Sequence, residues 1–227
     1  LIITLNRIIA KEHGLVSQIV MYDTDTKAET IIAEGKDHIN DYVYDVAIYG
    51  NYIVYNKYHE KNNSNYFRPT AYKYCDIYIY SIKESKTMQI TQNNFCINLS
   101  TNGTYIAAAR IPNGEEGQDI FARMQIVLFD KEKQTSQIVL HYKSPIYSNL
   151  KDLTVGNPEF LGNYLVWQDN TVLNNMHIYD YMKSQFIHIP AYDDSQKSRI
   201  VDSTDSSIIA IDFSDINREK MYKIKLQ

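Results

Sequence analysis

Tyr58, His59, Tyr66, Phe67 and Arg68 bring aromatic rings, an imidazole and a guanidinium into one stretch, "NKYHEKNNSNYFRPTAYKYC" at 56–75. It is the longest part of the chain without a strand pattern, and aromatic residues beside Arg are the side chains that dominate binding hot spots. The competing reading is that these rings cap the rim of a core in a chain with 20 Tyr. A second stretch, "RIPNGEEGQDIFAR" at 110–123, sets Arg110 beside Glu115, Glu116 and Asp119. Its carboxylates could hold a cation, but they lack the regular oxygen-ligand spacing of a calcium loop, and a solvated turn is the plainer reading. A third set is Trp167 with Asp169, which invites sugar binding or glycoside hydrolysis. Hydrolysis needs two carboxyl groups at a defined separation. Asp41, Asp45, Glu115 and Asp169 supply carboxylates without a spacing that selects a pair. The alternative is that Trp167 packs in the core and Asp169 begins a turn.

Other chemistries lack their residues. The six histidines form no His-x-His or His-Glu-x-x-His cluster, so no metal site is expected. There is no Gly-x-Ser-x-Gly elbow, and pairing Cys75 with His59 matches no nucleophile signature, so no catalytic residue is assigned. No glycine loop cradles a phosphate, and no nucleotide or other cofactor is expected. Cys75 and Cys96 are read as free thiols, a disulfide being judged to join strands too far apart.

The elements that position these residues follow from composition and repetition. With 44% apolar residues in 227 the chain can bury a substantial core, and its Tyr content suits pleated, half-buried strands. A net charge of −4 without a basic run argues against nucleic acid. No run of 18 apolar residues occurs, so no membrane span is expected. The sequence opens on Leu1 rather than Met, the expectation for a trimmed or mature form lacking a targeting segment.

One unit recurs. "QIVMYDTDTKAETII" (18–32), "DIYIYSIKESKTMQIT" (76–91), "QIVLFDKEKQTSQIVL" (125–140) and "MHIYDYMKSQFIHI" (176–189) each read strand, polar turn, strand, and "KMYKIKLQ" (220–227) begins a fifth. Before each stands an apolar strand pair around an Asn, Gly, Asp or Ser turn: 2–11, 46–55, 97–110, 158–167 and 199–211. Four antiparallel strands at this period predict an all-β chain, a β-propeller of about five four-stranded blades. We expect one domain, with repeats near 1–35, 36–91, 92–142, 143–190 and 191–227. Whether five repeats close a ring is open. Either the N-terminal residues complete the last blade or further blades lie beyond the sequence.

The patterns "IYGNYIVY...DIYIYSIKESKTMQIT" and "FLGNYLVWQDN...MHIYDYMKSQFIHI" resemble the repeats of TolB-like propellers and of bacterial and archaeal cell-surface proteins, over nearly the whole chain. They lack the dipeptides of WD repeats, since Gln168 separates Trp167 from Asp169. The resemblance implies a recognition platform, often extracytoplasmic, and transfers no catalytic residue. Three functions compete: a non-enzymatic module presenting loops to a protein or cell-surface partner, a glycoside-processing enzyme with carboxylates at the channel mouth, and a structural repeat domain of a larger surface protein.

Overall fold

The computed structural model describes residues 1–12, 14–36, 41–60, 73–111, 124–140, 157–168, 176–187, 198–204, 207–212 and 220–225. Every regular element among them is a β-strand. The first unit is β1 (Ile2–Lys11), β2 (Gly14–Asp23) and β3 (Glu29–Glu34). The second is β4 (Asp41–Tyr49), β5 (Tyr52–Glu60), β6 (Lys73–Ser81) and β7 (Lys86–Gln89). The third is β8 (Phe95–Thr101), β9 (Tyr105–Ile111), β10 (Gln125–Asp130) and β11 (Thr135–Leu140), and the fourth is β12 (Glu159–Leu161), β13 (Tyr164–Gln168), β14 (Met176–Asp180) and β15 (Gln185–Phe186). The fifth is β16 (Ser198–Thr204), β17 (Ser207–Asp212) and β18 (Lys220–Lys225). Within each unit consecutive strands pair antiparallel. The first strands of neighbouring units lie against one another, β4 on β8 and β8 on β12.

The turns explain why the units repeat. Between third and fourth strands the residue four places after the turn's opening residue has positive φ in every copy: Lys27 (62°), Ser85 (50°), Gln134 (54°) and Ser184 (54°). An acceptor at the opening residue holds the preceding backbone. Asp23 accepts the N–H of Asp25, Asp130 those of Glu132 and Lys133, Asp180 those of Met182 and Lys183, and the Ser81 hydroxyl that of Glu84. Such bonds satisfy turn N–H groups and offset the cost of a left-handed residue. The turns between first and second strands instead use Gly50 (φ 55°), Gly103 (φ 87°) and Gly162 (φ 56°).

Packing alternates with side-chain direction. Ile53 and Tyr55 of β5 pack with Ile19 of the first unit, while Val54 between them packs with Ile106, Ala108 and Val127 of the third. In β9, Ile106 and Ala108 face the second unit, and Ala107 and Ala109 face Leu165 and Trp167 of the fourth. A strand buried on both faces must lie in a sheet sandwiched between two others. Sheets packed face to face in succession, each a meander of three or four described strands, are the blades of a β-propeller.

Three expectations are corrected. Residues 2–11 are one strand, paired with β2 from Ile2–Asp23 to Lys11–Gly14, rather than a hairpin. No glycine stands at Leu5–Asn6–Arg7 to turn the chain, and the Asn6 amide donates instead to the Tyr44 carbonyl at 3.0 Å. Strand direction then makes β1, β2 and β3 the second, third and fourth strands of their blade, whereas β16, β17 and β18 are the first, second and third of theirs. The stretch 56–75 is shorter as a loop than expected, because β5 runs to Glu60 and β6 starts at Lys73. The strands carrying Cys75 and Cys96 are neighbours, joined by a parallel bridge between Cys75 and Phe95. Both thiols are free and buried. Burial pushes both thiols up, and each stays a free thiol.

Candidate functional site

Alternating strand direction sorts the connections by face. The turns at 24–28, 50–51, 82–85, 102–104, 131–134, 162–163 and 181–184 occupy one end of the blades. The strand ends from which 37–40, 61–72, 112–123, 141–156 and 169–175 leave occupy the other. At this second end a cleft of about 1070 Å³ opens between the first two blades. Its walls are β3 on one side and β5, β6 and β7 on the other, and Glu34, Lys36, Asp41, Lys57, His59 and Asp76 line it.

Each acidic group there is engaged. Lys57 Nζ lies 3.0 Å from Asp41 Oδ1, and Lys11 Nζ 2.7 Å from Glu34 Oε2. Hydrogen bonds from the Lys11 ammonium and the Gln18 amide hold the Glu34 carboxyl below its ordinary range. Asp76 is fully buried. Its Oδ1 accepts the Thr91 hydroxyl at 2.8 Å and the Asn94 N–H at 2.9 Å, and its Oδ2 accepts the Asn93 N–H at 3.0 Å. The Thr91 oxygen in turn accepts the Ile77 N–H. This network ties the link after β7 to the head of β6 and thereby sets the cleft floor. His59 Nε2 is 3.6 Å from Asp76 Oδ2, beyond hydrogen-bond distance. Its half-exposed ring tilts on Tyr74.

Asp45 sits where two bulges meet. Register shifts between Val43 and Val46 in β4 and between Ile97 and Ser100 in β8, and the Asp45 carboxylate accepts the Asn98 N–H and the Asn56 amide. Burial raises its pKa, with these hydrogen bonds opposing. The carboxylate thus locks two neighbouring first strands together.

The other singled-out residues divide. Tyr58 is buried, stacked on Tyr42 at 4.5 Å with its edge toward Phe95 at 6.2 Å, so it supports the cleft rather than lining it. Trp167 is 1% exposed, stacked on His177 at 5.5 Å. Arg110 projects from the end of β9, its Nη2 donating to Gln125 Oε1 at 3.0 Å. Tyr66, Phe67, Arg68, Glu115, Glu116 and Asp169 lie outside the described residues. Among the described residues no group of three metal-ligating side chains converges, and no helix is long and apolar enough to cross a membrane. Asp76 and Lys57 were not singled out from sequence. The only signal for Asp76 was the "TQNN" run after β7, whose donors meet it across the turn.

No family model matches the sequence, and no curated protein matches it. Solved structures do. The β-propeller domain of the Trilobed protease from Pyrococcus furiosus, described as having an open velcro topology, is similar at 15% identity and a TM-score of 0.60, over 97% of this chain and 62% of that one. TolB from Acinetobacter baumannii is similar at 12% identity and a TM-score of 0.53, over 99% of this chain and 52% of that one. The chain has the fold of a β-propeller. Dipeptidyl peptidase 4 from Porphyromonas gingivalis is similar at 7% identity and a TM-score of 0.60, over 96% of this chain and 37% of that one. Identities this low carry the fold alone, and the chain spans between 37% and 62% of the length of these three.

Proposed function

We propose that the chain is a non-enzymatic, extracytoplasmic propeller module that binds a protein or cell-surface partner through its loop-bearing face, centred on the cleft between the first two blades. One observation carries this reading. A wide polar cleft lies between two blades, and its carboxylates are already engaged by Lys57, Lys11 and the Thr91–Asn94 link around Asp76. A surface so arranged offers Lys36, the rim of His59 and neutral amides to a partner, while each described carboxylate lining it already has a partner. The β5–β6 connection leaves beside His59 and carries Tyr66, Phe67 and Arg68, which supply the anchoring rings and guanidinium. Glycoside hydrolysis is less well supported, since Asp41 is ion-paired and Asp45 is bound to the β8 bulge.

The test is recovery of partners from the envelope fraction of the source organism by the immobilised protein. A folded variant carrying Tyr66→Ala, Phe67→Ala and Arg68→Ala is expected to lose most of the recovered material. Equal recovery would remove that loop from the interface.

A further inference from the structure

We propose that the cavity beside Arg110, between the second and third blades, is a binding site for a carboxylate attached to a short apolar group. It stands apart from the cleft above and does not rest on the function proposed for it.

Arg110 lies on β9 on the face turned toward the second blade, opposite Cys96 in one register and Gln125 in the other. Among the described residues one of its five N–H groups is paired, Nη2 with Gln125. Its Nε is buried and has no hydrogen-bond partner. An unmet donor on a permanently charged group is costly, and an anion held by the outer Nη groups would offset that charge. No carboxylate among the described residues answers it. Asp76, the acid on the adjoining blade, is taken by Thr91, Asn93 and Asn94, and Asp130 at the far end of the cavity is paired with Lys133 at 2.9 Å. Cys96 cannot substitute, because burial pushes its thiol far above the neutral range and leaves it uncharged.

Nε itself is shut off from solvent, so an acceptor in the adjoining space would meet the outer Nη groups of the guanidinium. A cavity of about 290 Å³ is lined by Arg110, with Thr91 and Asn94 as further polar groups and Met88, Ile90 and Phe129 as apolar ones. That is near the small end of ligand pockets, roughly 300–1,000 Å³, and suits one group of amino-acid size. Lys131, also on its wall, adds a second cation held over the Tyr52 ring. The guanidinium fork favours planar carboxylate, which it can meet with two parallel N–H donors. The apolar wall then selects an acid with a hydrocarbon tail, either a free small acid or the C-terminus of a chain ending in an apolar residue.

The experiment titrates the protein with N-acetyl-leucine, N-acetyl-leucinamide, a short peptide ending in a free leucine carboxylate, its C-terminal amide, and inorganic phosphate, followed by calorimetry and by the Arg110 Nε–H resonance. Saturable binding of at least one free acid is expected, with its amide weaker by about tenfold or more, the cost of one charge-assisted contact. Binding of N-acetyl-leucine assigns the site to free acids, and binding of the peptide alone assigns it to chain termini. Arg110→Gln should abolish the difference between acid and amide. Should that variant fail to fold, the Nε–H resonance of the unmodified protein decides: it should move with the acid and stay with the amide. Equal responses to acid and amide, a phosphate response as strong as the acid's, or a still resonance would overturn the proposal.

Discussion

Replacing Asp76 by Ala is expected to be among the most damaging single substitutions in the second blade. The carboxylate is fully buried and accepts three hydrogen bonds of 2.8, 2.9 and 3.0 Å, two of them from backbone N–H groups of the link that leaves β7. A hydrogen bond to a charged group contributes about 1.5–3 kcal/mol, and an abandoned buried donor costs about 1–3 kcal/mol. The Thr91 hydroxyl can rotate and water can enter the vacated space, so the sum is reduced to roughly 3–5 kcal/mol. Asp76→Asn keeps an oxygen for Thr91 and Asn94 but turns an amide toward the Asn93 N–H, at about 1–3 kcal/mol. Because His59 stands 3.6 Å away without a hydrogen bond, His59→Ala should cost under about 1 kcal/mol. Urea denaturation with an unchanged slope measures all three. A loss below about 1 kcal/mol for Asp76→Ala would refute the claim that this network sets the cleft floor.

Three further outcomes follow from the same structure. Burial raises the Asp45 pKa above its ordinary 3.8, so its contribution to stability is complete below that value and is lost as pH rises through the folded value. Asp45→Asn should lack that decline, and paired denaturation curves across acidic pH should show wild type losing ground to the variant as pH rises. At the third-to-fourth strand turns, Gln134→Gly relieves a left-handed non-glycine residue and should stabilise by up to about 1 kcal/mol, whereas Gly50→Ala, at φ 55° in open space, should destabilise by about 1 kcal/mol. Thermal melts check both signs. Trp167→Ala should cost about 3–5 kcal/mol, while Trp167→Phe should cost much less, because the indole N–H has no partner to lose. Similar losses for the two would show that the indole makes a bond the structure does not contain.

What could be read in the sequence was what repeats locally. "DIYIYS", "QIVLFD" and "MHIYD" announce third strands through their alternation and closing turn residue, and Gly50, Gly103 and Gly162 announce the first hairpins through the need for positive φ. The left-handed residues Lys27, Ser85, Gln134 and Ser184 carry no such mark, since the Asp or Ser opening each turn, rather than the residue itself, makes the conformation affordable. In β1 the apolar alternation was legible but its continuity was not, because Asn6 resembles a turn residue and its partner, the Tyr44 carbonyl, lies in another blade. Asp76 was hidden for a like reason. It heads a strand in the sequence, and only the chain's return places Thr91, Asn93 and Asn94 around it. Tyr58 stands beside His59 in the sequence as a candidate binding ring, but strand pairing with Tyr42 and Cys75 turns it inward.

The most direct test of the binding account compares the two ends of the propeller in one assay. Envelope-fraction recovery is measured for wild type, for Lys57→Ala with His59→Ala at the cleft, and for Lys83→Ala with Glu84→Ala on the exposed turn at the opposite end, all with matched melting curves. The account predicts that recovery falls with the cleft pair and holds with the turn pair. Recovery that survives the cleft pair and falls with the turn pair would place the binding surface on the wrong face and contradict it.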